Sequence, residues 1–194
     1  MVDNSCSDII GQWRFSKEAI NKMNQITDKT KIIERGGILC GRTEKNGDKK
    51  IDLISECKGT GCDIILDPSK VCKEQSLGIF HTHPGRIIKT LPSIADLGFQ
   101  ETRGLLLMCI GAPKVKEDRI ICIRSKHLSK EEEIERRNKR DIVYELELKI
   151  KNLPFHATKK EREDYNNRFD DIFSEKNYYK FDPSKCIESF EKRR

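Results

Sequence analysis

A mixed α+β fold is predicted by this sequence, because strand-length apolar runs alternate along the chain with segments that carry an apolar stripe at helical spacing. Residues 104–110 are uninterruptedly apolar after the initial glycine, which is typical of a central strand buried on both faces. Asn46-Gly47 lies between two apolar runs and is a strong hairpin signal. Residues 129–153 contain no glycine or proline and keep a single apolar stripe, which favours a long helix.

In the first third of the chain, the sequence predicts a helix that is followed by the hairpin. Ser16 is suited to cap the helix, because its hydroxyl can accept a hydrogen bond from a backbone N–H of the first turn. The apolar stripe of this helix consists of Ala19, Ile20, Met23 and Ile26. The hairpin strands are expected at residues 36–42 and 50–54, as antiparallel neighbours.

Strands and short helices alternate through the middle of the chain. Further strands are expected at residues 62–66, 77–83, 104–110 and 119–124. The last two of these pair across a turn. Pro68 suits the first position of a short helix, and Ser93 opens another that runs to Gln100.

The chain is predicted to have two parts. Residues 1–128 carry the strands and form the main domain, and residues 129–194 form a helical C-terminal extension. Within the extension Ser129 can cap a helix that Pro154 stops, and the remainder mixes aromatic side chains with dense charge. We expect the extension to pack on the main domain, to form a homodimer or to dock in a larger complex.

The distribution of charged and apolar residues argues against nucleic acid and membranes as binding partners. The net charge of +6 arises from 38 basic and 32 acidic residues that are mixed along the chain, so there is no basic block of the kind that binds nucleic acid. The first residues are polar, with no cationic start and no apolar core of a signal peptide, and no long apolar span follows. We therefore expect a soluble cytoplasmic protein that binds neither nucleic acid nor membrane.

The eight cysteines are expected to be thiols, because disulfide bonds are rare in a reducing cytoplasm. Three lie inside apolar strand-like runs and are expected to be small buried hydrophobes: Cys40, Cys109 and Cys122. Cys57, Cys62 and Cys72 are closer together but lack the Cys-x-x-Cys spacing of zinc ribbons. A second, structural metal site at these three stays an open alternative.

A candidate metal site begins at His81 and His83, which end an apolar run. On a strand, residues two apart point to the same face, so both imidazoles can reach one point. Asp96 follows where Ser93 would open a helix, and two histidines with one carboxylate leave a catalytic zinc one position for water. Both pairs also have a purely structural explanation. The histidines can be polar residues of a turn before proline, and Ser93 with Asp96 can form a variant capping box.

Three stretches, taken together, resemble the signature of the JAMM, or MPN-plus, metalloproteases: Glu34-x-x-Gly37-x-Leu39-x-Gly41, His81-Thr82-His83-Pro84 and Ser93-x-x-Asp96. The resemblance covers roughly residues 15–124 and implies the fold of that family, a curved, mostly antiparallel sheet flanked by helices with one zinc site at its edge. One departure is the loop of nine residues at 84–92, where the family usually has about seven; loop length is well tolerated, so we expect the ligands to be kept.

The resemblance also implies a chemistry. His81, His83 and Asp96 would hold one Zn²⁺, Glu34 would act as general base and then acid, and Ser93 would donate its hydroxyl to the developing oxyanion. The implied enzyme is a deubiquitinase-like isopeptidase that cleaves after the C-terminal tail of ubiquitin or a ubiquitin-like modifier, the tail adding itself to a sheet edge beside the metal. Two alternatives remain: a non-catalytic MPN scaffold that binds a partner, and a JAMM hydrolase that acts on a small conjugate without ubiquitin.

Overall fold

The structure is a computed structural model, which describes residues 7–8, 11–56, 72–83, 90–102, 105–126, 128–152, 158–174 and 178–187. Its strands are β1 (Ser7–Asp8), β2 (Gly11–Phe15), β3 (Gly36–Thr43), β4 (Lys49–Glu56), β5 (Gln75–Thr82), β6 (Leu107–Gly111), β7 (Ile120–Ser125) and β8 (Tyr178–Phe181). Its α-helices are α1 (Lys17–Lys29), α2 (Ile94–Thr102), α3 (Lys130–Asn152) and α4 (Lys159–Ile172), and a 3-10 helix spans Pro183–Cys186. The predicted α+β class is confirmed.

The strands form one sheet in the order β1-β2-β4-β3-β5-β6-β7-β8. The pairs β1–β2, β3–β4, β3–β5 and β6–β7 are antiparallel, whereas β2–β4 and β5–β6 are parallel. The sheet is therefore mostly antiparallel, as predicted. β5 lies in the interior of this order, with β3 on one side and β6 on the other, so both of its edges are occupied.

The hairpin between β3 and β4 follows its sequence signal. Gly47 adopts a positive φ of 88°, which suits glycine, and the side-chain oxygen of Asn46 accepts a hydrogen bond from the Asp48 N–H at 3.1 Å. Both strands extend further than predicted. β6, by contrast, begins only at Leu107, and the preceding Leu106 is 46% exposed.

Two compact units are present. The first comprises the described residues up to Leu91, those of Leu105–Arg124 and those from Lys180 onward. Its core packs the apolar stripe of α1 against strand residues, and the cap predicted at Ser16 is present, because Ser16 Oγ accepts from the Ala19 N–H at 3.0 Å. The domain boundary predicted at 128/129 stays a prediction.

The second unit comprises residues 92–104 and 125–179, where described, and contains α2, α3 and α4. The cap predicted at Ser129 is present, since its hydroxyl accepts from the Glu132 N–H at 3.2 Å while the Glu132 carboxylate accepts from the Ser129 N–H at 2.9 Å. Aromatic rings follow one another at centroid distances of 6.1, 6.0 and 5.9 Å along Tyr165, Phe169, Phe173 and Tyr178. Among the described residues, no helix combines the length and apolarity needed to cross a membrane.

The expectation of free thiols at Cys40, Cys109 and Cys122 is wrong. Cys109 and Cys122 are register partners across β6 and β7, with Cα atoms 4.0 Å apart, and a disulfide bond joins them. A second disulfide joins Cys40 to Cys72, and Cys186 is also disulfide-bonded. The pairs arise because the sheet brings distant residues within disulfide reach, which spacing along the chain does not reveal.

Several predicted features lie outside the described residues. These are the strand at 62–66, the helical turn at Pro68, the loop at 84–89 and the cysteines at 57 and 62. Cys72 is committed to the disulfide with Cys40, which removes one of the three candidates for a second metal site.

Candidate metal centre

The two histidines lie at the C-terminal end of β5. His81 is the register partner of Gly36 on β3 and of Ile110 on β6, and its side chain is only 8% exposed. The backbone N–H of His83 donates to the Gly111 carbonyl oxygen at 2.8 Å and so extends the pairing with β6. As alternation along a strand predicts, both rings face the same way, and their Nε2 atoms are 3.0 Å apart.

Asp96 is oriented by the cap of α2. Its Oδ2 atom accepts hydrogen bonds from the Ser93 N–H at 2.6 Å and from the Ser93 hydroxyl at 2.8 Å. In return, the Asp96 N–H donates to Ser93 Oγ at 3.1 Å. This is a capping box with aspartate in the third helical position, and it fixes the direction of the carboxylate before any ligand binds.

His81, His83 and Asp96 form a group whose ligand atoms all lie within 4.8 Å of one another. Two imidazole nitrogens and one carboxylate oxygen match the ligand set of a catalytic zinc site. The chemistry of the donor set therefore fits a metal ion.

Glu34 is exposed, and it lies two residues before the start of β3 at Gly36. The backbones of Arg35 and Thr82 pair, because the Thr82 N–H donates to the Arg35 oxygen at 2.8 Å. The register of β3 and β5 joins Gly36 to His81, and continuing it by two residues sets Glu34 opposite His83. Glu34 does not belong to the ligand group, which is consistent with a base and leaves its predicted role open.

Comparisons with known proteins give similarities among solved structures alone. No family model matches this chain, and no curated protein matches it. Among solved structures, the chain is similar to the crystal structure of a JAB1/MPN domain protein from Archaeoglobus fulgidus, with 16% sequence identity and a TM-score of 0.40. The match covers 56% of this chain and 86% of that chain. The function is therefore inferred from the residues of this chain.

The signature glycine at position 37 has a packing reason. A Cβ atom there would overlap the backbone carbonyl oxygen of Ser55 on β4, so only glycine allows the two strands to approach this closely. A Cβ atom at Gly36 would likewise overlap the Phe80 carbonyl oxygen on β5. These glycines thus keep β3 tightly paired with β4 and with the strand that carries the histidines.

Two features near the site were not predicted from the sequence. Thr82, between the histidines, is fully buried and forms hydrogen bonds with Thr30 and with the backbone of Arg35. The Arg35 guanidinium is also 3.9 Å from the carboxylate of Glu56, which receives a hydrogen bond from Lys22 at 2.8 Å. The Lys22 hydrogen bond lowers the pKa of Glu56, and the charge of Arg35 contributes in the same direction.

Proposed function

We propose that this protein is a JAMM-type zinc metallopeptidase that cleaves an isopeptide or peptide bond after the tail of ubiquitin or a ubiquitin-like modifier. The observation that carries the proposal is the group formed by His81, His83 and Asp96, whose ligand atoms lie within 4.8 Å of one another. A pair of imidazole nitrogens only 3.0 Å apart is well suited to share a cation.

The proposed mechanism assigns one task to each polar residue of the site. Bound to His81, His83 and Asp96, zinc would supply a Lewis acid that lowers the pKa of water to about 7. Glu34 accepts a proton from the attacking water and delivers it to the leaving amine, which a carboxylate can do by acting first as base and then as acid.

Ser93 has two tasks in this proposal, and they compete for one proton. Its hydroxyl donates to Asp96 Oδ2 at 2.8 Å and therefore orients a metal ligand. A hydroxyl has a single O–H, so donation to an oxyanion requires the hydroxyl to rotate away from Asp96. The Ser93 N–H, at 2.6 Å from the same oxygen, keeps the carboxylate in place during that rotation.

A protein substrate is favoured by the surface next to Glu34. Ile32 and Ile33 are 87% and 51% exposed. An adjacent pair of exposed isoleucines offers apolar contact area to a neighbouring protein, whereas a small polar conjugate would gain little from it. Because both edges of β5 are occupied, the tail of the substrate cannot pair with β5 itself.

The proposed function is tested by metal analysis combined with a panel of ubiquitin-like fusions. We expect about one zinc per chain and cleavage of at least one fusion. Glu34→Gln should keep the metal and lose cleavage, while Glu117→Gln, at another exposed glutamate, should behave as the wild type. Full cleavage by Glu34→Gln would contradict the mechanism.

The same panel separates the two alternatives. A hydrolase for small conjugates would bind zinc and cleave none of the protein fusions, and a non-catalytic scaffold would bind a partner equally well without metal. The predicted homodimer or larger complex through residues 129–194 stays a prediction.

A further inference from the structure

We infer that Thr82 is a positioning residue that fixes the segment carrying Glu34, an inference that rests on the proposed function of Glu34 as the general base. Thr82 lies between His81 and His83, and on a strand its side chain points to the face opposite theirs. It is fully buried. Its hydroxyl therefore contacts residues on the opposite face of the strand from the two imidazoles.

The Thr82 hydroxyl connects both ends of a short exposed segment. Its Oγ1 atom is 2.8 Å from the hydroxyl oxygen of Thr30, which caps the C-terminal end of α1. The same atom accepts a hydrogen bond from the Arg35 N–H at 2.9 Å. Residues 31–34 lie between these two contacts, and each of them is exposed.

The Thr82 hydroxyl has one proton and two acceptors within reach, the Thr30 hydroxyl oxygen at 2.8 Å and the Arg35 carbonyl oxygen at 3.1 Å. Thr30 donates its single hydroxyl proton to the Ile26 carbonyl oxygen at 3.0 Å, which leaves its oxygen free to accept from Thr82. With its proton directed to the nearer of its two acceptors, Thr82 donates to Thr30 and accepts from the Arg35 N–H. The result is a continuous chain of hydrogen bonds from the residue after Glu34 to the last turn of α1.

This chain explains how an exposed carboxylate can have a defined position. Glu34 precedes Arg35 directly, so the backbone hydrogen bonds of Arg35 restrict the direction in which the Glu34 side chain leaves the main chain. Valine has nearly the shape of threonine but no hydroxyl, so Thr82→Val would deprive the Arg35 N–H of its acceptor. The loss would reach Glu34 through the backbone and leave the imidazoles on the opposite face.

The test compares Thr82→Val with Thr82→Ser, which keeps the hydroxyl. We expect Thr82→Val to bind zinc as the wild type does, to exchange the Arg35 amide hydrogen at least tenfold faster, and to lose tenfold or more in kcat with little change in KM. Thr82→Ser should restore both the exchange rate and kcat. Thr43→Val, at an exposed threonine of β3, should alter none of these values.

The outcomes separate this inference from the proposed function. Unchanged Arg35 exchange in Thr82→Val, or loss of zinc together with activity, would overturn the positioning role. A wild-type protein that binds zinc and cleaves nothing would instead overturn the proposed function, whatever the exchange shows. If Thr82→Val fails to fold, Thr30→Val removes the other link of the chain; it should raise Arg35 exchange to a smaller extent, and no rise would overturn the inference.

Discussion

The Asp96 carboxylate belongs both to the cap of α2 and to the candidate metal group. Its Oδ2 atom closes the cap of α2 through Ser93, while the residue also belongs to the group with His81 and His83. A ligand that is oriented by neighbouring hydrogen bonds binds a metal more tightly, because less ordering is left to the binding step. The cap therefore orients a residue of the candidate metal group.

Removal of the Ser93 hydroxyl should weaken both the cap of α2 and the binding of zinc. We expect Ser93→Ala to lower the free energy of unfolding by about 1 kcal/mol through loss of the cap and to weaken zinc binding about tenfold. Calorimetric zinc titration and chemical denaturation measure the two effects. Ser93→Thr, which can still cap the helix, is the matched control. Zinc affinity equal to that of the wild type in Ser93→Ala would show that the cap does not orient the ligand.

The exposed isoleucines before Glu34 give a second prediction at this scale. Replacement of both Ile32 and Ile33 by serine should raise KM for a protein substrate about tenfold, since partial burial of such a side chain contributes roughly 1 kcal/mol or more. Zinc content should not change. Leu53→Ser, at an exposed leucine of β4, is the control. An unchanged KM would place the substrate elsewhere.

At the scale of elements, the site depends on how β3 and β5 are held together beyond their regular ladder. Arg35 contributes through its backbone to Thr82 and through its guanidinium to Glu56 on β4. Glu56 in turn receives a hydrogen bond from Lys22 of α1. One helix and three strands thus converge on the segment that carries Glu34.

The charge of Glu56 should stabilise this arrangement in a pH-dependent way. Its pKa is lowered from the ordinary value of 4.5, chiefly by the Lys22 hydrogen bond, so its contribution is complete above that value and is lost as the pH falls through the lowered pKa. We expect Glu56→Gln to reduce the free energy of unfolding by up to about 1 kcal/mol at neutral pH and by less in acid. Denaturation at several pH values measures the difference, and an equal difference at all of them would contradict this explanation.

The elements also show what could be predicted from the sequence. The convergence of His81 and His83 follows from strand alternation, and the cap at Ser93 follows from a spacing of three residues; both are local rules. The Thr82 contacts and the Cys109–Cys122 disulfide depend on pairing between residues far apart in the chain. Register of that kind is set by the whole sheet, so no local pattern reveals it.

For the whole molecule, the order of the sheet places the candidate site at the end of an interior strand rather than along an outer one. Pairing on both sides holds the backbone of β5 from Gly78 to His81. A rigid strand end is a suitable position for two candidate metal ligands, because binding then costs little conformational entropy. Bound zinc should stabilise the fold in turn, by about 2.7 kcal/mol when the free ion is at one hundred times its dissociation constant.

We propose that His81, His83 and Asp96 bind one zinc ion and that Glu34 acts as the general base of hydrolysis without being a ligand. Calorimetric titration of zinc into metal-free protein tests this most directly. We predict about one ion per chain for the wild type and for Glu34→Gln, and loss of that binding in Asp96→Ala. Equal zinc binding by the wild type and Asp96→Ala would contradict the proposed ligand group.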